Sequence, residues 1–437
     1  MSLSINEPVS RAICQATEFS QTSPWLIAYS GGLDSHVLLH ASAKLLQQGR
    51  APSISVIHVD HGLQAESRQW AKHCAQVAAH LHLPLEQFTV TVPQNAGESL
   101  EAAARHVRYG VFEKVLPKEG LLLTAHHQID QVETVFLQLL RGAGPKGLAA
   151  MPLRKPFAQG WHVRPFLMLN RTALEEYAEY NQLHWVDDFS NECRDFDRNY
   201  VRHEILPRIQ TRWPGYAKTI SRVARLQGEA VELLDLSATR LLGDIESPDD
   251  QTLQVDALLK LSLLEQKNLI RYWLNALNLA MPSEVKLQTI LQQLLLARQD
   301  AMPCVTWGGG EVRRYAGKLY AMDPQPVFDS RQRLDWELGN KLLQVPGLPQ
   351  PLSMDVLLEQ GFTWPEIGRI KVRFRQGGEI ITPAGRGMRK TLKTLFQEWA
   401  VPPWERARTP LIYVGNTLAA VYGFAVDEAF YTTPDGF

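Results

Sequence analysis

Between residues 25 and 140 short apolar runs alternate with longer amphipathic stretches, and this alternation limits the possible folds more than any other feature of the chain. Residues 25–29, 53–58, 88–92 and 121–125 have the length and aliphatic content of buried strands. Residues 37–46, 67–80, 100–115 and 130–140 have helical spacing. Strands interleaved with helices predict a doubly wound α/β domain, a parallel sheet covered on both faces. Ligands of such sheets bind beyond the carboxyl ends of the strands, so the residues following each strand are the first candidates for chemistry.

The 437 residues exceed what one core supports, and two or three domains are expected. The α/β domain is placed at 1–217, with Thr172 and Glu175 spaced as a capping box that opens a helix reaching residue 181. Leu/Ala spacing from 218 to 299 indicates a helical domain over 218–323, where Ser283 can cap a helix after Pro282. Pro324, Pro326, Pro346, Pro349 and Pro351 mark 324–351 as a linker. Strand-like stretches at 370–374 and 411–424 suggest a small α+β domain over 352–437. The chain starts without a cleavable leader and has no apolar run near the roughly 20 residues of a membrane helix. Cys14, Cys74, Cys193 and Cys304 form no CxxC pair, which suits the cytoplasm and argues against a cysteine-held metal or cluster.

The first strand runs into Ser30, Gly31, Gly32, Leu33, Asp34 and Ser35. Two glycines let the backbone turn tightly and present N–H groups to an anion, and the next helix adds its positive end. Ser30 and Ser35 can donate to phosphate oxygens. Asp34 would repel a phosphate unless a cation lies between them, which assigns it to Mg²⁺. Read alone, the two glycines also fit an ordinary strand-to-helix turn. The six-residue string, however, resembles the phosphate loop of the PP-loop ATP pyrophosphatases, which implies attack on the α-phosphate of ATP and release of pyrophosphate.

Three more segments follow strands or face them. His58, Asp60 and His61 end the second strand, within reach of a base or ribose. Glu101, Arg105 and Arg108 share one helix face, as an internal ion pair or as a phosphate-directed cluster. Residues 124–134 carry His126, His127, Asp130 and Glu133. The two carboxylates, three apart at a helix start, could hold one ammonium or simply compensate the helix dipole. Together these residues resemble the tRNA(Ile)-lysidine synthetase family, with Ile129 where the first aspartate of an Asp-Asp pair usually stands. Residues 141–148, Arg164-Pro165, 187–191 and 198–202 also match, as do 373–378, 385–390 and 401–404 towards the C-terminus.

The resemblance implies substrates ATP, free L-lysine and an isoleucine tRNA with a CAU anticodon. The cytidine C2 oxygen would be adenylated and AMP then displaced by the lysine ε-amine, converting an AUG-reading anticodon to one that reads AUA. It implies that His58, Arg105 and His127 join the loop in binding ATP, and that Asp130 and Glu133 bind lysine. Asp34, Asp130 and Glu133 become the catalytic set, with Arg198 and Arg202 on tRNA. Ten Lys/Arg against three Glu between 369 and 408 form a basic patch, and the resemblance assigns Arg373, Arg375, Arg386, Arg389, Lys390 and Lys393 to tRNA. Lysine must lose a proton before it attacks; His126 or His127 is a conceivable acceptor, and the sequence leaves the acceptor open. Alternatives are a PP-loop tRNA thiolase, disfavoured by the missing cysteine pairs, and a nucleotide sensor. No membrane partner is expected, and a homodimer stays open.

Overall fold

Alternate side chains of β1 (Trp25–Ala28) enter two different cores, Trp25 and Ile27 on one face of the sheet and Leu26 on the other. The computed structural model describes residues 7–62, 67–93, 100–186, 194–247, 250–298, 301–337, 339–363 and 369–432. These fall into two compact units, Met1–Leu234 and Asp235–Phe437.

In the first unit β2 (Ile54–Asp60) and β4 (Leu121–Leu123) flank β1 in parallel. β3 (Leu85–Thr89) adds to β2, β6 (Gly160–Val163) adds to β4, and β5 (Arg154–Phe157) closes that edge antiparallel. The order is therefore β3-β2-β1-β4-β6-β5. Helices α1 (Glu7–Thr17), α2 (Leu33–Gln47) and α7 (Arg171–Tyr180) bury Val9, Ile13, Val37, Leu174 and Tyr177 against one face. On the other, α4 (Leu100–Val115) sets Phe112 beside Leu26, Ile57 and Leu122. Each fully buried aliphatic side chain contributes about 1.5–3 kcal/mol, so the period-two pattern of these strands fixes their register. Chain order reverses at β1, whose neighbours β2 and β4 lie on opposite sides, opening a crevice at the carboxyl ends of β1 and β4.

The third strand ends three residues earlier than its apolar alternation suggests. β2 stops at Asp60, opposite Thr89, and the last ladder bond runs from Val90 N–H to the Asp60 carbonyl, so Thr91 and Val92 have no strand to pair with. Helix α7 is capped by Asn170, whose side chain accepts from Thr172 N–H, one turn-start earlier than the Thr172/Glu175 spacing implies. Helices α3 (Ser67–His80), α5 (Gln128–Leu140) and α6 (Pro145–Leu148) complete the layers. Beyond α7, α8 (Asp197–Tyr200), a π-helical turn (Val201–Ile205) and α9 (Leu206–Arg212) pack on α5 through Val132, Val201 and Leu206.

The unit division falls within α10 (Tyr216–Ile245). In the second unit the stretch read as helical holds α11 (Val255–Leu258), α12 (Leu263–Ala276) and α13 (Glu284–Thr289) around fully buried Trp273. The same core also contains an antiparallel sheet of β7 (Glu246–Ser247), β8 (Thr252–Gln254), β9 (Cys304–Trp307), β10 (Gly310–Tyr315) and β11 (Lys318–Met322). The proline-bearing stretch is a linker only in part. Its β12 (Leu334–Glu337) pairs with a later strand, and Trp336 and Val345 are fully buried in the C-terminal core. Prolines there end strands without preventing the intervening residues from pairing.

The C-terminal core also receives two hairpin-like pairs, β13 (Leu342–Leu343) with β14 (Leu352–Ser353) and, after β15 (Arg369–Arg373), β16 (Ile380–Ile381) with β17 (Lys390–Thr391). Its main sheet runs β12, β15, β18 (Leu411–Val414), β19 (Thr417–Val421), β20 (Ala425–Val426). Helices α14 (Met354–Glu359), α15 (Leu392–Glu398) and α16 (Pro403–Arg406) flank it. No helix among the described residues is long and apolar enough to cross a membrane.

Gly160 shows how closely β4 and β6 approach. A Cβ there would lie 2.1 Å from the Gly120 carbonyl oxygen, which is itself fixed by accepting Trp161 N–H at 2.9 Å. Gly160→Ala is expected to cost about 3 kcal/mol in urea unfolding. Gly110→Ala, which meets nothing within 4 Å inside α4, should be neutral or stabilise by about 0.5–1 kcal/mol.

Candidate active site

The loop after β1 owes its shape to Gly31, at φ +92°, where a Cβ would also press to 3.2 Å from the Cys74 sulfur. Gly32 then caps α2 without any side-chain hydrogen bond, leaving the first-turn N–H groups of the helix for an anion. Ser35 braces the turn: its hydroxyl donates to the Gly32 carbonyl at 3.0 Å and accepts from Ser30 N–H at 3.2 Å. Exposed Ser30, 3.0 Å from the Ser35 oxygen, is the loop hydroxyl that can turn to a ligand. Leu33 begins the helix. His58, buried at the end of β2, donates from Nδ1 to the Tyr29 carbonyl at 2.9 Å.

Asp34 and the start of α5 meet across the crevice. His127 caps α5: its Nδ1 accepts from Ile129 N–H at 3.2 Å, while its own N–H donates to Asp130 Oδ2 at 2.9 Å. The other ring nitrogen lies 3.6 Å from Asp34 Oδ2 and 3.6 Å from Asp130 Oδ2. Burial opposes a charge on this imidazole, but the two carboxylates outweigh it and raise its pKa above the usual value. Asp34 Oδ1 is enclosed and has no hydrogen-bond partner, the kind of orphaned oxygen that a hard divalent cation satisfies. Among the described residues no group of three or more His, Cys, Asp or Glu side chains converges as a metal cage. A cation at Asp34 would therefore draw further ligands from bound phosphate, as Mg²⁺ commonly does.

Glu133 has no solvent exposure, and two arginines meet it. Arg202 grips it bidentately, Nε to Oε1 at 2.6 Å and Nη2 to Oε2 at 3.0 Å, and reaches Asp130 Oδ1 at 3.3 Å. Arg198 lies 3.0 Å from Glu133 Oε2 and donates to Thr134 Oγ1 at 3.2 Å. Burial holds the Glu133 carboxyl above its ordinary range against the pull of Arg202. Burial also opposes ionisation of Asp130, yet His127, His126 and Arg198 bring it down to about 2. Both arginines expected on tRNA thus point into the acidic pair. Sequence spacing shows that positions 198 and 202 share a helical face, but not which carboxylates that face meets.

A buried relay that the sequence reading missed stands behind His126. Arg164 Nη2 can only donate, so His162 Nδ1, 3.1 Å away, accepts. Fully buried His162, held neutral by burial and by Arg164, then donates from Nε2 to Thr124 Oγ1 at 2.8 Å. The single hydroxyl proton of Thr124 is left for His126 Nδ1, also at 2.8 Å. Burial first, then Arg164, Arg105 and Arg198, push His126 down to about 3 despite Asp130. The relay therefore fixes His126 as a neutral ring protonated at Nε2. With its Nδ1 occupied and its Nε2 protonated, His126 has no free lone pair for a proton from lysine, and the Nδ1 of His127 is taken up by Ile129 N–H. The sequence sets His162 two positions before Arg164 but carries no local sign that either meets His126.

Arg105 stacks over the Tyr109 ring at 4.9 Å and donates to its hydroxyl at 3.4 Å. The Glu101 side chain and residues 187–191 lie outside the described residues. In the second unit Arg373 lies over Tyr413 at 4.6 Å, and the Nε atoms of Arg373 and Arg375 are buried without a hydrogen-bond partner. Arg386 and Lys390 share Glu398 at 2.8 and 2.6 Å, while Arg389 and Lys393 are exposed. Trp404 of the 401–404 motif turns inward, edge-on to Tyr315 and Tyr320 and beneath Arg313.

A glycine-turned anion loop at the switch point of a parallel sheet, facing an acidic helix start, defines a PP-loop nucleotide-dependent enzyme, and a PP-loop domain family matches residues 5–209. A TilS substrate binding domain matches 253–320 and a TilS substrate C-terminal domain matches 370–436. The tRNA(Ile)-lysidine synthase of Coxiella burnetii is 41% identical over 415 residues, covering 95% of this chain and 92% of that protein. Those of Legionella pneumophila and Photobacterium profundum are 36% and 38% identical, each covering 93% of both chains. The chain belongs to the tRNA(Ile)-lysidine synthase family.

Two variants test this geometry. Thr124→Val keeps the volume but removes the hydroxyl shared by two imidazoles. It should destabilise the protein by about 1–3 kcal/mol and abolish the fixed Nε2–H signature of His126 in ¹⁵N NMR. Asp130 is depressed to about 2, so the stability from its ionisation is present above its ordinary 3.8 and is lost as pH falls through about 2. Asp130→Asn should cost about 2 kcal/mol at neutral pH, a difference that closes in acid. His127 is raised, so its contribution is full below 6.5 and lost above its elevated pKa. The same Asp130→Asn change should move the His127 NMR midpoint downward.

Proposed function

We propose that this chain uses ATP to join free L-lysine to C2 of the wobble cytidine in an isoleucine tRNA with a CAU anticodon, releasing AMP and pyrophosphate. The observation that carries this reading is the meeting, at 3.6 Å, of loop residue Asp34 with the His127–Asp130 cap of the helix that bears Glu133, in a member of this family. That meeting sets the anion loop beside a carboxylate pair suited to an ammonium, which supports the reading.

In the first step the cytidine C2 oxygen attacks the α-phosphorus and the bond to pyrophosphate breaks. Ser30 and the open first turn of α2 receive phosphate oxygens, and Arg105 and His58 stand on the same side as candidates for the nucleotide. Asp34 would hold Mg²⁺, which supplies neutralisation of the triphosphate charge. Chemistry of this kind depends mainly on positioning and on matching charge. In the second step the lysine ε-amine bonds to C2, the C2–O bond breaks, and AMP leaves with its electron pair. Lysine arrives as a cation, exchanging with the Arg202 guanidinium on Asp130 and Glu133. The positive groups Arg105, Arg164 and Arg198 then favour loss of the ammonium proton to water, which leaves the neutral amine that attacks. Neutral His126 contributes a fixed Nε2–H donor, suited to an oxygen on which negative charge develops. The C-terminal cations Arg373, Arg375, Arg386, Arg389, Lys390 and Lys393 are suited to backbone phosphates of the tRNA. Burial pushes the Cys74 thiol up to about 12, so it offers no thiolate for a sulfur-transfer reading.

Incorporation of labelled lysine into a transcript with a CAU anticodon tests the reading. Wild type should incorporate lysine only with Mg-ATP and an intact wobble cytidine, and Asp34→Ala should lower kcat at least about 100-fold. Pyrophosphate release stimulated by tRNA without lysine incorporation would keep adenylation and reject lysine as nucleophile. Folded, ATP-binding protein with neither activity would sink the proposal.

A further inference from the structure

Between the end of α9 and the first turns of α10 is a cavity of about 480 Å³ that the reaction described above leaves unused. Its wall is built by Ile209, Arg212, Trp213, Tyr216, Thr219 and Ile220. Trp213 is 63% exposed, so this large aromatic ring contributes little to the core. Tyr216 is 8% exposed and belongs to the same apolar cluster as Val132, Val201 and Leu206, which places the cavity one side-chain layer from the helix carrying Asp130 and Glu133. Consistent with that, burial and the nearby Glu133 charge raise the Tyr216 hydroxyl above its usual pKa.

The chain segment that lines the cavity carries charge of one sign. Residues 206–225 contain Arg208, Arg212, Lys218, Arg222 and Arg225 and no carboxylate. Arg212, Lys218 and Arg222 are exposed, Arg208 only grazes Glu204 at 4.0 Å, and Arg225 pairs with Glu229. An exposed indole beside a guanidinium, in a basic field, matches an unstacked base and its phosphate: the ring offers a π-face and the arginine a charge.

We propose that this cavity is a nucleobase subsite, in which an anticodon-loop base flanking the target cytidine stacks on Trp213 while Arg212 holds its phosphate. The inference rests on the tRNA substrate proposed above and adds where a second base of that loop is held. A cavity of this volume has room for a base with its sugar and phosphate.

The test uses full-length protein and transcripts with 2-aminopurine at each position flanking the wobble cytidine. At one position fluorescence should be quenched on binding to wild type and to Trp213→Phe, and not to Trp213→Ala. KM for tRNA should rise about tenfold in Trp213→Ala, more than kcat falls, with KM for ATP and lysine unchanged. Arg212→Ala should reduce the salt slope of tRNA binding by about one. A Trp213→Ala protein that melts like wild type and keeps both quenching and KM overturns the subsite. So does equal occupancy by AMP alone, which would mark a free-nucleotide site, or a Trp213→Ala change in sedimentation from dimer to monomer, which would mark a protein contact. If wild type fails to modify the transcript yet still quenches through Trp213, the RNA subsite stands and the proposed reaction falls.

Discussion

A carboxylate shut away from water stays ionised only if cations come to it, and Glu133 draws two of them, sixty-five and sixty-nine residues further along the chain. That requirement docks α8, the π-helical turn and α9 onto α5. Arg198 and Arg202 are four apart and so share a helix face, and both guanidiniums settle on one carboxylate. Once the segment is docked, Val201 and Leu206 seal against Val132, Tyr216 closes the floor of the neighbouring cavity, and Asp130 gains the Arg202 guanidinium at 3.3 Å. Replacing the pair by apolar side chains could pack as well, but it would leave no exchangeable cation beside the phosphate loop.

The same crevice holds two adjacent histidines whose protonation is driven in opposite directions. His126 and His127 differ by one position, so their side chains leave the chain on different faces. One meets Thr124 and a crowd of arginines, the other two carboxylates. The result is one neutral donor and one ring that favours charge, made from identical residues by environment alone. The parallel sheet makes this possible because the loops after β1 and β4 emerge side by side at its switch point.

Much of this was legible in the sequence. The period-two strands, the SGGLDS turn and the Asp130/Glu133 spacing are local patterns, and the α/β sheet, the loop and the acidic helix start stand where those patterns put them. What was hidden is set by pairing across distance. The end of β3 depends on where β2 stops. The partners of Arg198 and Arg202 depend on how a later segment folds back. The histidine tautomers depend on Arg164, thirty-eight residues from His126 and invisible to any local spacing rule. In the second unit, Trp336 and Val345 lie between prolines that read as a linker, yet a buried indole whose Nε1–H finds the Asn340 carbonyl at 2.8 Å makes that stretch core.

The buried relay has one more consequence. Its first member is an arginine, and although burial and Arg105 bring that group down to about 10, it remains charged throughout the range in which a cell lives. No proton in the line from Arg164 to His126 can hop without leaving a neighbour with two or none. The four residues act as a permanently poled dielectric, fixed when the chain folds. The polarity His126 presents to the crevice is therefore insulated from metabolic acid and base, as a magnet's poles are from the weather.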